Sequence, residues 1–160
     1  MAKTYLLLGG NIGDRESVLS NAKEIISERV GNITTESSIY ETEAWGFKSE
    51  EKFLNQAIVV ETDFLPNEVL RKINAIEKEM GRKKLQNYSS RIIDIDILFY
   101  ETWVIKSKKL TIPHPHLHER QFTLKPLNEI IPDFVHPIFE KTIKHLTDIN
   151  KDKLEVRIWK

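Results

Sequence analysis

The sequence has no cysteine. This excludes a disulfide framework, a thiolate nucleophile and a sulfur-based zinc site, and it suits a reducing cytosol. Glycine and proline are sparse, at six residues each. No Pro/Gly/Ser-rich linker divides the chain, and no repeat or low-complexity stretch is present. There is no excess of charge either: 24 Lys and Arg balance 24 Asp and Glu. Without a global field to draw the protein to nucleic acid or an acidic membrane, any anion site must be local. Long apolar runs are missing, since the opening stretch of Leu6, Leu7 and Leu8 stops at Gly9 and Gly10. Neither a signal peptide nor a membrane span fits, and a cytoplasmic protein is expected. What remains is 160 residues that are 40% hydrophobic, enough for one domain spanning residues 1–160 around its own core.

The periodicities order that domain. Thr4 to Leu8 reads as a buried strand, and Gly9, Gly10 and Gly13 read as a tight strand-to-helix turn, since their spacing fits neither a P-loop nor a dinucleotide fingerprint. Asp14 can cap a helix carrying Val18, Leu19, Ala22, Ile25 and Ile26, with Gly31 as its stop. Ile33 to Thr42 and Phe53 to Thr62 are β-prone. Pro66 opens a second helix with an apolar stripe of Val69, Leu70, Ile73, Ile76 and Met80, and Gly81 closes it. Ile92 to Tyr100 is a fourth strand. The order strand, helix, strand, strand, helix, strand is the split βαβ pattern of a ferredoxin-like α+β sandwich with a largely antiparallel sheet. Beyond it, five prolines from Pro113 to Pro137 break up a C-terminal extension. A helix is expected near Glu119 to Ile130, another around Thr142 to Thr147, and an edge strand at Val156 to Trp159.

Three groups of residues carry chemistry. Asp94 and Asp96 stand two apart in an apolar strand, so their carboxylates share a face. Asp is disfavoured in strands, and like charges this close are tolerable when a hard divalent cation bridges them; Mg²⁺ commonly takes one or two carboxylates plus phosphates. The alternative is a pair of solvated aspartates. A cationic group comprises Arg82, Lys83, Lys84, Arg91, His114 and Arg120, and cations placed around spreading negative charge are what phosphoryl transfer needs. Arg82 to Lys84 also reads as a solvated helix end favoured by the helix dipole. Zinc at His114, His116 and His118 is disfavoured by the intervening prolines and an incomplete ligand pattern. Thirdly, Trp45, Phe53, Asn55, Tyr88 and Phe122 could sandwich a flat heterocycle, with Asn55 meeting its polar edge; Phe53 and Phe122 fit a plain core as well.

Taken together, the segments Leu6 to Asp14, Ser38 to Thr42, Phe53 to Ala57, Ile76 to Arg82, Arg91 to Leu98 and Ile112 to Phe122 resemble the 6-hydroxymethyl-7,8-dihydropterin pyrophosphokinase family. The Arg-x-x-Asp-x-Asp-Ile-Leu strand followed by Pro-His-Pro and Glu-Arg-x-Phe is the specific part. The resemblance implies transfer of pyrophosphate from ATP to the pterin in folate biosynthesis. It implies that Asp94 and Asp96 hold two Mg²⁺ ions, that Arg82 and Arg91 are catalytic-loop arginines, and that Lys84, Lys109, Thr111, His114 and Arg120 bind ATP. Thr42, Trp45, Phe53, Asn55 and Phe122 would form the pterin pocket. The chain departs from the family pattern at Ala44, at Tyr88 and at Ser89-Ser90. A monomer acting on small molecules, without nucleic acid or membrane, is expected. The competing functions are a metal-dependent phosphodiesterase or nucleotidyltransferase, and a ferredoxin-like ligand-binding module that is not an enzyme.

Overall fold

A computed structural model describes residues 1–43, 52–81 and 92–160. Strand β1 (Ala2–Gly10) leads to helix α1 (Arg15–Arg29) and then to the short strands β2 (Asn32–Glu36) and β3 (Tyr40–Thr42). After β4 (Phe53–Thr62) and α2 (Pro66–Glu79) comes β5 (Asp94–Tyr100). All pairings are antiparallel, in the order β5-β1-β4, with β2 and β3 both on the far edge of β4. That is the expected split βαβ sandwich. The extension adds a hairpin of β6 (Ile105–Lys106) and β7 (Thr111–Ile112), a 3-10 turn at Leu117–Glu119, helices α3 (Gln121–Ile130) and α4 (Ile143–Ile149), and β8 (Val156–Ile158). Strand β8 pairs with β3, so the expected edge strand forms.

Alternation along the strands divides the core into two layers. Leu6, Leu8, Leu54, Ile58, Ile95 and Ile97 pack with Leu19, Ala22 and Ile26 of α1 and Val69, Ile73 and Ile76 of α2. Tyr5, Leu7, Ala57, Val59, Leu98 and Phe99 face the other way, against Leu124 and Leu127 of α3 and Ile143 and Leu146 of α4. Each buried Leu, Ile, Val or Phe among them contributes about 1.5–3 kcal/mol by leaving water. The extension is therefore the second covering layer of the sheet.

The helix ends follow their sequence signals. Asp14 accepts from the Ser17 N–H. Gly31 ends α1 because the chain lies flat on β4 there: a Cβ would stand 2.1 Å from the Glu61 carbonyl oxygen. Two local expectations are corrected. The strand expected over Ile33 to Thr42 is broken at Ser37 to Ile39, where side chains take part of the ladder: Ser37 N–H still donates to the Ala57 carbonyl at 2.9 Å, but Ala57 N–H donates to Ser37 Oγ at 3.0 Å, and Gln56 Nε2 donates to the Ser37 carbonyl at 2.8 Å. Gly9 and Gly10 belong to β1, and Gly13, at φ 74°, alone of the three makes the turn.

His136 ties the extension down. Its ring, 2% exposed, accepts the N–H groups of Ile138 and Phe139 at Nδ1 (3.1 and 3.2 Å) and stacks on Phe139. Burial, with His118 nearby, pushes its pKa down to about 4. A depressed histidine pKa means that the unfolded chain takes up the proton first, so stability is full above pH ~6.5 and falls as pH drops toward 4. Urea unfolding of the protein should show a loss of up to about 3 kcal/mol from this group across that window. His136→Asn, which keeps an acceptor but does not titrate, should flatten the difference between pH 7.5 and pH 5; an unchanged pH dependence would refute the assignment.

Candidate active site

Strand β5 turns Ile95 and Ile97 into the α1/α2 layer, which leaves Asp94 and Asp96, both half-buried, on the opposite face with Leu98. Antiparallel register carries that face across the sheet. Asp94 stands opposite Gly9, Gly9 opposite Asn55, and Asn55 opposite Tyr40, a single row over four strands. Asp96 stands opposite Leu7 in the next row. Phe53 is two residues from Asn55, so it shares this face, and it pairs with Thr42. The aspartates and three of the five residues expected around a pterin thus meet on one face, at one end of the sheet.

Asn55 is 3% exposed, and among the described residues its Nδ2 has no hydrogen-bond partner. An unsatisfied buried amide costs on the order of 1–3 kcal/mol, and it suits a ligand that brings its own acceptor. The Thr42 hydroxyl donates to the Glu155 carbonyl at 3.1 Å, which joins the end of β3 to the approach of β8. Phe122 is in the first turn of α3 and packs against the second core layer, with the Arg120 guanidinium 5.5 Å from its ring centroid.

The backbone N–H of His114 donates to the Leu98 carbonyl at 3.0 Å, which places the histidine beside the strand of the aspartates. Burial, aided by Arg120 and His116, holds its pKa down at about 4. Its Nδ1 accepts from the His116 N–H at 3.2 Å. The ring is thus neutral at pH 7 with its proton on Nε2, a donor suited to a phosphate oxygen. Thr111 lies in β7, which flanks β5, and Lys109 is exposed just before it. Arg82, Lys84, Arg91 and Trp45 lie outside the described residues. The ends of the stretch that carries three of them come together, since a Cβ on Gly81 would lie 3.6 Å from Ile92 Cδ1.

Two carboxylates of hard oxygen character fit Mg²⁺, which completes its shell with phosphates and water. Among the described residues no His, Cys, Asp or Glu group of three could hold a metal. Two of the three histidines have other partners: His116 pairs with Glu119 at 3.1 Å, and the His118 ring packs on Phe139 with its Nε2 3.7 Å from Glu119.

Sequence reasoning passed over three supports. Glu77 of α2, 4% exposed, accepts the N–H of Ile95 at 2.8 Å, between the two aspartates. Its signal is a charge at a position that continues the apolar stripe of α2. Glu129 of α3 accepts from the Ser38 N–H, the Ser38 hydroxyl and the Tyr40 hydroxyl, the last at 2.6 Å. Burial and that carboxylate push the Tyr40 phenol far up, so it stays a donor and clamps α3 to β3. Glu129→Ala should cost about 1–3 kcal/mol in urea unfolding by orphaning these donors, and Glu129→Gln, which retains an acceptor, should cost less. The third, Gly9, is taken up below.

A sheet covered by helices on both faces, with two aspartates and a buried amide gathered at one end of it and a histidine beside β5, is the frame of a small α+β protein. The chain belongs to the 7,8-dihydro-6-hydroxymethylpterin-pyrophosphokinase family, whose model matches residues 5–132. It is 45% identical over 150 residues to the 2-amino-4-hydroxy-6-hydroxymethyldihydropteridine pyrophosphokinase of Aquifex aeolicus, covering 94% of this chain and 93% of that one. The protein of the same description from Bacillus subtilis is 36% identical over 157 residues, 98% and 89% of the two chains. Among solved structures, one described as HPPK-DHPS in complex with substrates superposes with a TM-score of 0.76 at 19% identity, a likeness of fold. There the match covers 92% of this chain and 43% of the other, so this chain spans less than half of that longer protein.

Proposed function

We propose that this protein transfers the pyrophosphoryl group of ATP to the hydroxymethyl group of 6-hydroxymethyl-7,8-dihydropterin, giving AMP and the pterin diphosphate for folate biosynthesis, on the sheet face that carries Asp94 and Asn55. Family membership supports the reaction. The observation that carries the site is the register row that puts Asp94 and the unsatisfied amide of Asn55 on either side of Gly9.

In this reading Asn55 meets the polar edge of the pterin, Phe53 and Phe122 cover its ring faces, and Thr42 and Trp45 complete the pocket. Asp94 and Asp96 hold two Mg²⁺ ions, which supply charge neutralisation for the triphosphate. Neutral His114 donates from Nε2 to a phosphate oxygen, and Arg120 with Lys84, Lys109 and Thr111 adds further contacts to ATP. Arg82 and Arg91 stabilise the charge that spreads as the hydroxymethyl oxygen attacks the β-phosphorus in line. No side chain forms a covalent intermediate. A monomer in a cytoplasmic setting completes the reading.

Product analysis tests the reaction. Protein mixed with ATP, Mg²⁺ and 6-hydroxymethyl-7,8-dihydropterin should give AMP and a pterin diphosphate in equal amounts, seen by phosphorus NMR. Formation of ADP, or no pterin-dependent turnover by folded protein, would overturn the proposal.

A further inference from the structure

Gly9 occupies the centre of the row, with Asp94 on one side and Asn55 on the other. Two strand spacings, about 10 Å, separate the outer two backbones. A Cβ built on Gly9 would stand 2.7 Å from Asn55 Oδ1 and 3.5 Å from the Leu54 carbonyl oxygen. The first distance is well inside ordinary van der Waals separation, so the Asn55 side chain rests directly on the backbone of Gly9. Asn55 is almost fully buried and cannot simply swing outward. Its Oδ1 is thereby set against β1 while Nδ2 keeps no partner among the described residues.

The backbone at this position does not call for glycine. Gly13 and Gly81 have positive φ, whereas Gly9 continues β1 in register with both neighbours. Glycine inside a strand forfeits packing and costs entropy, and it often marks a place where another group approaches closely. Here that group is the Asn55 amide.

We propose that Gly9 is a positioning residue for the reaction: its missing side chain lets the Asn55 amide lie flat across β1 and keeps the floor between Asn55 and Asp94 clear. The pterin hydroxymethyl group crosses that floor to reach the phosphorus. This inference rests on the reading of Asn55 as the pterin's polar contact.

The test is a double-mutant cycle of Gly9→Ala and Asn55→Ala. Calorimetry would measure binding of 6-hydroxymethylpterin, the oxidised analogue, and of α,β-methylene-ATP with Mg²⁺, and thermal melts would accompany both. Gly9→Ala should weaken pterin binding about tenfold or more, leave the nucleotide analogue within about twofold, and lower the melting temperature only modestly. In the Asn55→Ala background the same change should cost little more, because the atom it displaces is gone. Wild-type pterin affinity in Gly9→Ala, or an equal further loss in the Asn55→Ala background, overturns the inference. Should Gly9→Ala fail to fold, recovery of folding in the double variant upholds the contact, and a double variant that stays unfolded refutes it. If wild-type protein does not bind the pterin, the underlying reading fails as well; if it does and Asn55→Ala weakens it while Gly9→Ala does not, only the role of Gly9 is lost.

Discussion

Replacing Asp94 and Asp96 together with asparagine is expected to lower kcat by about 10³-fold or more while leaving the fold stable to within about 1 kcal/mol. Asparagine keeps the shape of aspartate and removes only the charge. Both side chains are half-buried on a strand whose packing residues, Ile95 and Ile97, point into the other layer, so the core is untouched. A phosphate-borne cation would lose its anchor, and the spreading charge would lose the counter-charge that its transition state needs more than its ground state. Each single variant should cost nearly as much as the pair, because two groups that hold one cluster act as a unit. Quenched-flow turnover at saturating ATP, with urea unfolding alongside, measures both quantities. A double variant that retains a tenth of wild-type turnover would remove the carboxylates from the mechanism.

The aspartates were legible in the sequence because a strand has a period of two, and a polar pair at that period in an apolar run contradicts its surroundings. Helix α2 was legible for a similar reason, since its stripe is continuous and Pro66 and Gly81 stand at its ends. The sandwich followed from the order of elements. Gly9 and Gly10 were misread because glycine ordinarily ends a strand; what keeps Gly9 inside β1 is backbone pairing with Asn55, 46 positions later in the chain, and with Asp94. The break at Ser37 was hidden because a serine hydroxyl that replaces a ladder bond leaves no mark on β-propensity. The covering of the second sheet face by α3 and α4 was equally illegible, since prolines announce interruptions without saying where the helices dock. In the site, Asn55 betrayed itself as a polar residue in an apolar strand. His114, Arg120 and Phe122 gained roles from family resemblance, and the structure adds their neighbours: a backbone bond to Leu98 for the histidine, and the Arg120 guanidinium over the Phe122 ring.

Glu77→Ala should lose about 1–3 kcal/mol of stability and, beyond that, about 10²-fold in kcat. Strand β5 is the outer strand of its sheet among the described residues, so the outward N–H groups along it need acceptors from elsewhere. Helix α2 packs beside it, and the Glu77 carboxylate takes the N–H of Ile95 at 2.8 Å. Ile95 is the residue between the two aspartates, so this bond fixes the backbone from which both carboxylates project. Truncation leaves a buried N–H unpaired and lets the strand shift, and displacement by about 1 Å at a reacting centre is enough to cost two orders of magnitude. Glu77→Gln retains an oxygen acceptor and should recover most of both losses. The informative comparison is the concentration of Mg²⁺ that half-saturates turnover, followed together with hydrogen exchange at the Ile95 amide. A positioning role raises the first and speeds the second in Glu77→Ala, with Glu77→Gln in between. A variant that is destabilised, yet exchanges and responds to Mg²⁺ as the parent does, would reduce Glu77 to a core residue that happens to be charged.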